Sequence, residues 1–344
     1  MKVAFYAYPS SFQNPGGGEV QLIKTKEALE KQGVSVKLFD QWNDKLQDFD
    51  ILHVFGSVKD CVGLMETARN LNVKVVLSPI FWSNFDRAFF ESENVSRKAE
   101  LTLRHLLKLL IPVFPSGRRR TMVLSNVLLP NSIMEKNQIK RLFAVPESKM
   151  SVVPNGVDDS FAYAEPSEFV KKFGIKNFIL YTGRIEPRKN QLNFIRAMKG
   201  FDAPIVFIGK AVSDYQTYYD ACRKEAGKNV HFLGYIDHGS SLLRSAYSAA
   251  SVFALTTWFE TPGLSALEAA LAGGKIVITP SGSTREYFLE MVRYARPHKL
   301  DEIRQKVEEA YSAPPEPKLK EHIIKNYTWE KIAFLTKSAY KNIL

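Results

Sequence analysis

The chain has 344 residues, of which 45% are hydrophobic and 24% are charged, and it carries a net charge of +11. This composition excludes a disordered or fibrous chain, and the length leaves room for two globular domains. The N-terminal apolar run is too short for a signal peptide, no window reaches the roughly 18 apolar residues that span a bilayer, and two cysteines are too few for a disulfide framework or a zinc site, so we expect a cytoplasmic protein.

Strand-like apolar runs alternate with amphipathic helical stretches along the whole chain. The runs of the first half are KVAFYAY, VSVKLFD, FDILHVFG, VKVVLSP, NVLLPNS and MSVVPNG, and those of the second half are FILYTGR, PIVFIGK, NVHFLGYI, SVFALTT and KIVITP. The predicted helices are Glu19–Lys31, Lys59–Leu71, Ile133–Phe143, Asn190–Lys199, Tyr215–Ala226, Ser241–Ala249 and Leu264–Ala272. Unbroken apolar runs between helices indicate parallel strands that are buried on both faces.

Two such series predict an α/β protein with two doubly wound, Rossmann-like parallel-sheet domains. We place the N-terminal domain at residues 1–157 and the C-terminal domain at residues 158–327, with a linker in the segment GVDDSFAYAEP. The tail at 328–344 is predicted to be a helix that begins near an exposed Trp329 and packs back on the first domain.

Much of the positive charge is concentrated at residues 97–120, which hold seven basic residues against Glu100 alone. Leu103, Leu106, Leu107 and Leu110 form a helical stripe there, and Arg118–Arg120 follows. A basic amphipathic segment of this kind is a candidate for contact with an anionic membrane surface. The alternative is an ordinary core helix followed by a basic loop. No nucleic-acid partner is expected, because the arginine run is short and no aromatic-rich RNA motif accompanies it.

The segment FALTTWFETPGLSALEAALAGG, from Phe253 to Gly274, reads as a buried strand, a loop and a helix. Glu260 lies in the loop, Gly263 and Leu264 open the helix, and Glu268 follows one turn later. A helix start has unpaired N–H groups and a partial positive charge, which attract phosphate. Carboxylates on either side of that position can accept hydrogen bonds from sugar hydroxyls. The segment therefore suits a nucleotide-sugar.

Two cations follow the first strand of the second half, in the segment YTGRIEPRKN. Arg184 ends the strand and Lys189 lies near the next helix start. Ligands of doubly wound sheets bind beyond the carboxyl ends of the strands, so these cations could neutralise a departing diphosphate. The alternative is a solvated basic turn.

Together, the Glu260–Glu268 spacing after a buried strand, the segment YTGRIEPRKN and the segment VVPNGVD resemble glycosyltransferase family 4, the glycosyl transferases group 1. The resemblance covers nearly the whole chain. It implies retaining enzymes of the GT-B fold, in which two doubly wound domains face a cleft. It also implies that the glycine-rich turn NPGGGE closes over the donor phosphate or the acceptor. Taken alone, this segment is more simply a flexible turn.

By this resemblance the catalytic residues are Arg184, Lys189 and Glu260. Arg184 and Lys189 would hold the diphosphate, Glu260 would contact the transferred sugar, and Glu268 would bind the ribose diol. The complete donor-binding set implied in this way is Gly17, Gly18, Gly183, Arg184, Lys189, Gly234, Tyr235, Glu260, Pro262, Gly263, Leu264 and Glu268.

The acceptor side is less clearly marked. His53 ends a strand and would face the cleft, with a satisfied core histidine as the alternative. Many family members place a histidine after the next strand, but that region here reads VVLSPIFWSNFD. Trp82, Ser83 and Asp86 are therefore the other acceptor-side candidates.

These observations predict a retaining glycosyltransferase that moves a hexose from a nucleotide-sugar to a glycan or lipid-linked acceptor of envelope polysaccharide synthesis. A UDP-sugar is favoured over GDP-mannose. No cofactor or metal is expected, because the predicted donor-binding half of the chain has no Asp-x-Asp motif of the kind that many metal-dependent transferases use, and Asp158-Asp159 has the wrong spacing; the triplet Asp48-Phe49-Asp50 stands in the first half. The alternatives are a non-catalytic, two-lobed nucleotide-sugar binding protein and a sugar-nucleotide epimerase of the GT-B fold.

Overall fold

The computed structural model describes residues 1–13, 16–83, 96, 99–100, 102–103, 106 and 110–344. They form two compact units. The first unit contains the described residues up to 156 together with Tyr327–Leu344, and the second contains Val157–Asn326. Within the described ranges, no helix combines the length and the apolar character needed to cross a bilayer.

A five-stranded parallel sheet, in the order β2-β1-β3-β4-β5, forms the centre of the first unit. Its strands are β1 (Lys2–Ala7), β2 (Ser35–Leu38), β3 (Ile51–Phe55), β4 (Lys74–Ser78) and β5 (Val127–Leu128). β3 is buried throughout, as expected for a central strand with helices on both faces. Because β2 and β3 lie on opposite sides of β1, the chain order reverses between β1 and β3.

The helices that the structure describes in the first unit are Gly17–Lys31, Val62–Asn70, Gly117–Leu124, Ile133–Phe143 and Trp329–Lys341. The last of these packs against the helix Gly17–Lys31. The Gln32 side-chain amide donates to the Glu330 carbonyl oxygen, and Lys337 Nζ donates to the Gln32 carbonyl oxygen. Trp329 is buried, which corrects the prediction that it is exposed. Gly156 leaves room for its indole, since a Cβ there would lie 2.6 Å from the ring.

A six-stranded parallel sheet, in the order β11-β10-β9-β6-β7-β8, forms the centre of the second unit. Its strands are β6 (Ile179–Thr182), β7 (Ile205–Ile208), β8 (Val230–Phe232), β9 (Val252–Leu255), β10 (Lys275–Ile278) and β11 (Arg293–Tyr294). Its helices are Ser167–Phe173, Gln191–Ala197, Gln216–Glu225, Ser241–Ala249, Leu264–Leu271, Thr284–Phe288, Leu300–Ser312 and Pro317–Tyr327. The chain order reverses between β6 and β9, so their carboxyl ends are neighbours.

Two parallel-sheet α/β units confirm the predicted fold class, but one predicted strand is wrong. The run MSVVPNG forms no strand and follows β5 through only two backbone hydrogen bonds, from Ser151 to Leu128 and from Val153 to Pro130. Pro130 and Pro154 lack the N–H groups that a longer ladder would need. The pattern also missed β11, which has only two residues.

Candidate functional site

The turn after β6 lies at the order reversal of the second unit and presents Arg184 and Lys189. Asn190 fixes its far end, because its side-chain amide donates to the carbonyl oxygens of Thr256 (2.9 Å) and Pro297 (2.8 Å). Gly183 has a φ of +137°, and a Cβ at Gly209 would lie 1.9 Å from the Gly183 carbonyl oxygen. The close approach of these two glycines shapes the turn.

Lys189 forms a buried ion pair with Glu260. Its Nζ lies 2.6 Å from Glu260 Oε1, and only 12% and 8% of the two side chains are exposed. Arg188 adds a second cation, with Nη1 at 3.8 Å from the same oxygen. Burial by itself would raise the pKa of Glu260, but the charges of Lys189 and Arg188 lower it. The Glu260 carboxylate is therefore held ionised.

Glu186 organises the two arginines of the same turn, a role that the sequence interpretation missed. Arg188 Nε donates to Glu186 Oε1 at 3.1 Å, and Arg184 Nη2 lies 3.5 Å from Glu186 Oε2. Arg184 is the most exposed of the three cations, at 36%. The signal was present, because Glu186 stands between the two predicted cations in the sequence. The cluster holds three cations and two carboxylates, which leaves one net positive charge.

Glycines also shape the loop that carries Glu260. Gly282 has a φ of +108°, and a Cβ there would lie 1.9 Å from the Glu260 carbonyl oxygen. Gly263, with a φ of +90°, is the N-cap of the helix Leu264–Leu271, and a Cβ there would lie 2.9 Å from the Leu255 side chain. The first amides of that helix therefore follow within four residues of Glu260, with Pro262 between them.

Glu268 lies on the buried face of that helix and has a partner on each carboxylate oxygen. His238 Nε2 lies 2.6 Å from Oε1, and the Tyr247 hydroxyl donates to Oε2 at 2.8 Å. Tyr247 also bonds to Thr182 at the end of β6. Sequence reasoning missed His238 and Tyr247, because neither stands near Glu268 in the chain or in a recognisable pattern.

The loop after β8 contains Gly234 and Tyr235, the predicted base-binding positions. Gly234 has a φ of +73°, and Tyr235 is 67% exposed. His238 belongs to the same loop, so its contact with Glu268 brings this loop beside the predicted ribose carboxylate. The predicted donor residues of the second unit therefore fall into two groups, one around Glu260 and one around Glu268. Tyr247 connects the second group to the end of β6 through Thr182.

In the first unit, the predicted glycine turn lies at the start of the helix Gly17–Lys31. The Gly16 N–H donates to the Glu19 carboxylate at 2.7 Å and so caps the helix. A Cβ at Gly18 would lie 3.4 Å from Ile80. Gly17 and Gly18 are therefore close to the segment that follows β4.

His53 has the geometry of a core histidine, which was one of the two alternatives. It is buried, with Nδ1 at 2.6 Å from the Tyr340 hydroxyl and Nε2 at 2.9 Å from the Ser78 hydroxyl. Burial lowers the pKa of His53 to about 3. The ring therefore stays neutral and ties the C-terminal helix to the sheet.

Trp82 and Ser83 follow β4 in a segment that the helix Ile133–Phe143 holds in place. Ser83 N–H donates to Gln138 Oε1 at 2.9 Å, and Phe81 N–H donates to Glu135 Oε1 at 2.6 Å. Burial raises the pKa of Glu135 to about 7. The remaining acceptor-side candidate, Asp86, lies outside the described residues.

The three arginines of the basic segment contact different parts of the first unit. Arg118 Nε donates to the Ser57 carbonyl at 3.1 Å, and Arg119 Nε donates to the Phe143 carbonyl at 3.2 Å. Arg120 pairs with Glu66 at 2.8 Å. The side chains of Leu110, Val113 and Phe114, which precede the arginines in the sequence, are exposed. Arg97, Lys98, Arg104, Leu107 and Lys108 lie outside the described residues.

Residues 165–328, which cover most of the second unit, match the sequence model of the family described as "Glycosyl transferases group 1". The match covers slightly less than half of the chain and shows a likeness to this family in that segment. The chain is also 27% identical, over 230 residues, to the "uncharacterized glycosyltransferase MJ1607" of Methanocaldococcus jannaschii. That match covers 60% of this chain and 57% of the relative. The predicted resemblance to the glycosyl transferases group 1 is therefore confirmed for residues 165–328.

Solved structures resemble the chain over nearly its full length. Sucrose-phosphate synthase from Thermosynechococcus elongatus has a TM-score of 0.78 at 15% identity, over 99% of this chain and 98% of that one. HepE of Anabaena, in complex with UDP and glucose, has a TM-score of 0.73 at 16% identity, over 99% of this chain and 100% of that one. At these identities the likeness shows the fold, which is the GT-B fold.

Proposed function

We propose that this protein is a retaining, metal-independent glycosyltransferase that moves a hexose from a nucleotide-sugar to a glycan or glycolipid acceptor. The observation that carries the proposal is the buried Lys189–Glu260 pair, with Arg184 and Arg188 beside it, next to the helix start at Gly263. A UDP-sugar is favoured as donor, with GDP-mannose second. The complex of HepE with UDP and glucose supports this order.

In the proposed complex, the second unit binds the donor and the first unit binds the acceptor. Arg184 and Lys189 contact the diphosphate together with main-chain N–H groups near Gly263 and Leu264. Glu260 contacts the transferred sugar. Glu268 accepts hydrogen bonds from the ribose hydroxyls, and for this it exchanges its contact with the partly exposed His238 while Tyr247 still holds its second oxygen.

The charges of the site suit the reaction. The glycosidic C–O bond to the diphosphate breaks, and negative charge grows on the departing oxygen. The cluster of Arg184, Arg188, Lys189, Glu186 and Glu260 has a net positive charge. Together with the start of the helix at Gly263, it stabilises the negative charge without a metal ion. The acceptor hydroxyl attacks from the same face, and its proton passes to the departing phosphate oxygen. Glu260 remains ionised because Lys189 and Arg188 lower its pKa.

Calorimetric titration with UDP and GDP, followed by transfer assays with radiolabelled UDP- and GDP-sugars, tests the proposal. We expect tighter binding of UDP, and transfer of label that a chelator does not reduce. Nucleotide binding without any transfer or release of sugar would favour the non-catalytic binding protein. Conversion of the donor into an isomeric nucleotide-sugar would favour the epimerase. Loss of activity with chelator would refute the metal-free mechanism.

The acceptor is proposed to belong to envelope polysaccharide synthesis, with the protein on the cytoplasmic side of an anionic membrane. Two buried free cysteines suit a reducing compartment. The exposed Leu110, Val113 and Phe114 could enter the interface of the bilayer. In sedimentation with anionic vesicles, Phe114→Ser should bind several-fold less than the wild type, and Trp42→Ser, which removes an exposed aromatic elsewhere, should not. Equal pelleting of all three proteins, or none, would refute the membrane contact.

A further inference from the structure

Arg118 is a half-buried cation with no carboxylate partner in the part of the chain that the structure describes. Its Nε donates to the Ser57 carbonyl at 3.1 Å, and its guanidinium lies 5.1 Å from the centre of the Phe81 ring. These two contacts fix the plane of the group. Its Nη atoms have no hydrogen-bond or ion-pair partner among the described residues.

The position of Arg118 in the fold is that of a ligand-binding group. Ser57 follows β3, and Phe81 follows β4, so Arg118 lies at the carboxyl edge of the sheet in the first unit. The strand order of that unit reverses between β1 and β3. Open parallel sheets bind their ligands outside the carboxyl ends of strands at such a reversal.

The environment of Arg118 differs from that of the described arginines that have carboxylate partners, whereas its neighbour Arg119 also donates to a carbonyl oxygen. Arg120, two residues later, pairs with Glu66 at the surface, and Arg188 pairs with Glu186 and Glu260. Burial lowers the pKa of Arg118, but a guanidinium keeps its charge in proteins. A partly desolvated charge without a counter-ion is costly, and an anionic ligand would remove that cost.

A second basic residue, Lys59, packs against the start of the helix that carries Arg118. The stem of Lys59 packs on Gly117, where a Cβ would lie 2.7 Å from the Lys59 side chain. Lys59 is exposed and follows β3 in the same loop as Ser57. Arginine and lysine together suit phosphate, since the planar fork forms paired hydrogen bonds and the ammonium adds a point charge.

We infer that Arg118, with Lys59, binds a phosphate group on the acceptor. This inference rests on the proposed glycosyl transfer, and it narrows the acceptor class to sugars that carry phosphate. The phosphate could belong to a soluble glycosyl phosphate or to a lipid-linked sugar. Arg118 is then a specificity-determining residue of the first unit, whereas Arg184 and Lys189 serve the donor in the second.

The test compares matched acceptors and matched variants. The acceptors are an alkyl glycoside, the corresponding soluble glycosyl phosphate and the corresponding lipid-linked phosphate, each offered with the donor that the wild type uses. Arg118→Gln should raise KM for both phosphate-bearing acceptors about 10- to 100-fold, the loss expected for a charge-assisted contact. It should leave KM for the alkyl glycoside and the binding of UDP unchanged. Arg118→Lys, which keeps the charge, should lie between Arg118→Gln and the wild type.

Arg120→Gln is the control, because it removes the same charge from the same helix and should change none of these values. Inorganic phosphate gives a readout that does not need activity: with the donor site filled by UDP, it should bind the wild type, and that binding should be lost in folded Arg118→Gln. Equal use of the neutral and phosphate-bearing acceptors, or no effect of Arg118→Gln, would refute the phosphate site while UDP binding still supports the transferase. Absence of UDP binding would instead count against the proposed function. The difference in phosphate binding between the wild type and Arg118→Gln would then still test the Arg118 site.

Discussion

Replacing Lys189 by methionine should separate the stability of the site from its chemistry. Lys189→Met removes the cation that lies 2.6 Å from Glu260 and leaves the carboxylate buried. Breaking a buried pair by removing one partner typically costs about 3–5 kcal/mol. Arg188 remains 3.8 Å from the same oxygen, so we expect a loss near the lower end, about 3 kcal/mol, in the free energy of unfolding measured by urea denaturation.

The double variant Lys189→Met/Glu260→Gln is the decisive comparison. It contains no unpaired buried carboxylate, so most of the lost stability should return, with a coupling of about 1–3 kcal/mol between the two sites. Transfer activity should not return, because the double variant lacks both a donor to the departing diphosphate and the Glu260 carboxylate that contacts the sugar. The expected loss in kcat is about 10²–10³ for Lys189→Met and at least as large for the double variant. If activity recovered together with stability, Lys189 would act only through folding and the diphosphate assignment would be refuted.

The pH dependence of the single variant gives an independent check. In the wild type, Lys189 and Arg188 lower the pKa of Glu260. The ionised Glu260 carboxylate therefore contributes to folding stability at neutral pH, and this contribution is lost only as the pH falls through the lowered pKa. Without Lys189, burial should raise the pKa of Glu260 above its unfolded value. The stability difference between variant and wild type should therefore shrink as the pH is lowered from about 8 to about 5. A difference independent of pH would contradict this explanation.

Three further predictions concern positioning residues. Glu186→Gln should raise KM for the donor about 10-fold with little loss of stability, because the arginines that Glu186 holds at 3.1 and 3.5 Å lose their anchor; unchanged donor kinetics would exclude this role. Gly282→Ala should lower the free energy of unfolding by more than about 2 kcal/mol, since the added Cβ would lie 1.9 Å from the Glu260 carbonyl oxygen. Gly200→Ala is the control, because nothing lies within 4 Å of the added Cβ; it should lower the free energy of unfolding by only about 1 kcal/mol. Tyr340→Phe should cost about 1–3 kcal/mol by removing a hydrogen-bond partner of buried His53, and an unchanged urea midpoint would refute that contact.

Much of the fold was readable from local patterns. The apolar runs around β1, β3, β6 and β9 are continuous because both faces of these strands are buried, and such runs are visible without a structure. Errors arose where pairing depended on distant partners. The run MSVVPNG has the composition of a strand, but the prolines on it and on its neighbour leave too few N–H groups for a ladder.

In the candidate site, too, local features were predictable from the sequence and long-range contacts were not. Arg184, Lys189, Glu260, Gly263 and Glu268 stand in two short segments, so their types and spacing were visible in the sequence. The partners of Glu268 were not, because His238 and Tyr247 lie 30 and 21 residues away from it. Likewise, Trp329 is placed at the start of a helix by its sequence, but its burial depends on the space left by Gly156.

By itself, the sequence determined the α/β class, the two series of strands and helices, and the residue types of the donor site, because periodicity, caps and glycine turns are local properties. Only the tertiary structure decided which charges have partners. Arg118 and Arg120 stand two residues apart in one basic run, yet Arg120 meets Glu66 while Arg118 meets a carbonyl and an aromatic ring. The physical reason is that desolvation and ion pairing depend on groups that the fold brings together from distant parts of the chain.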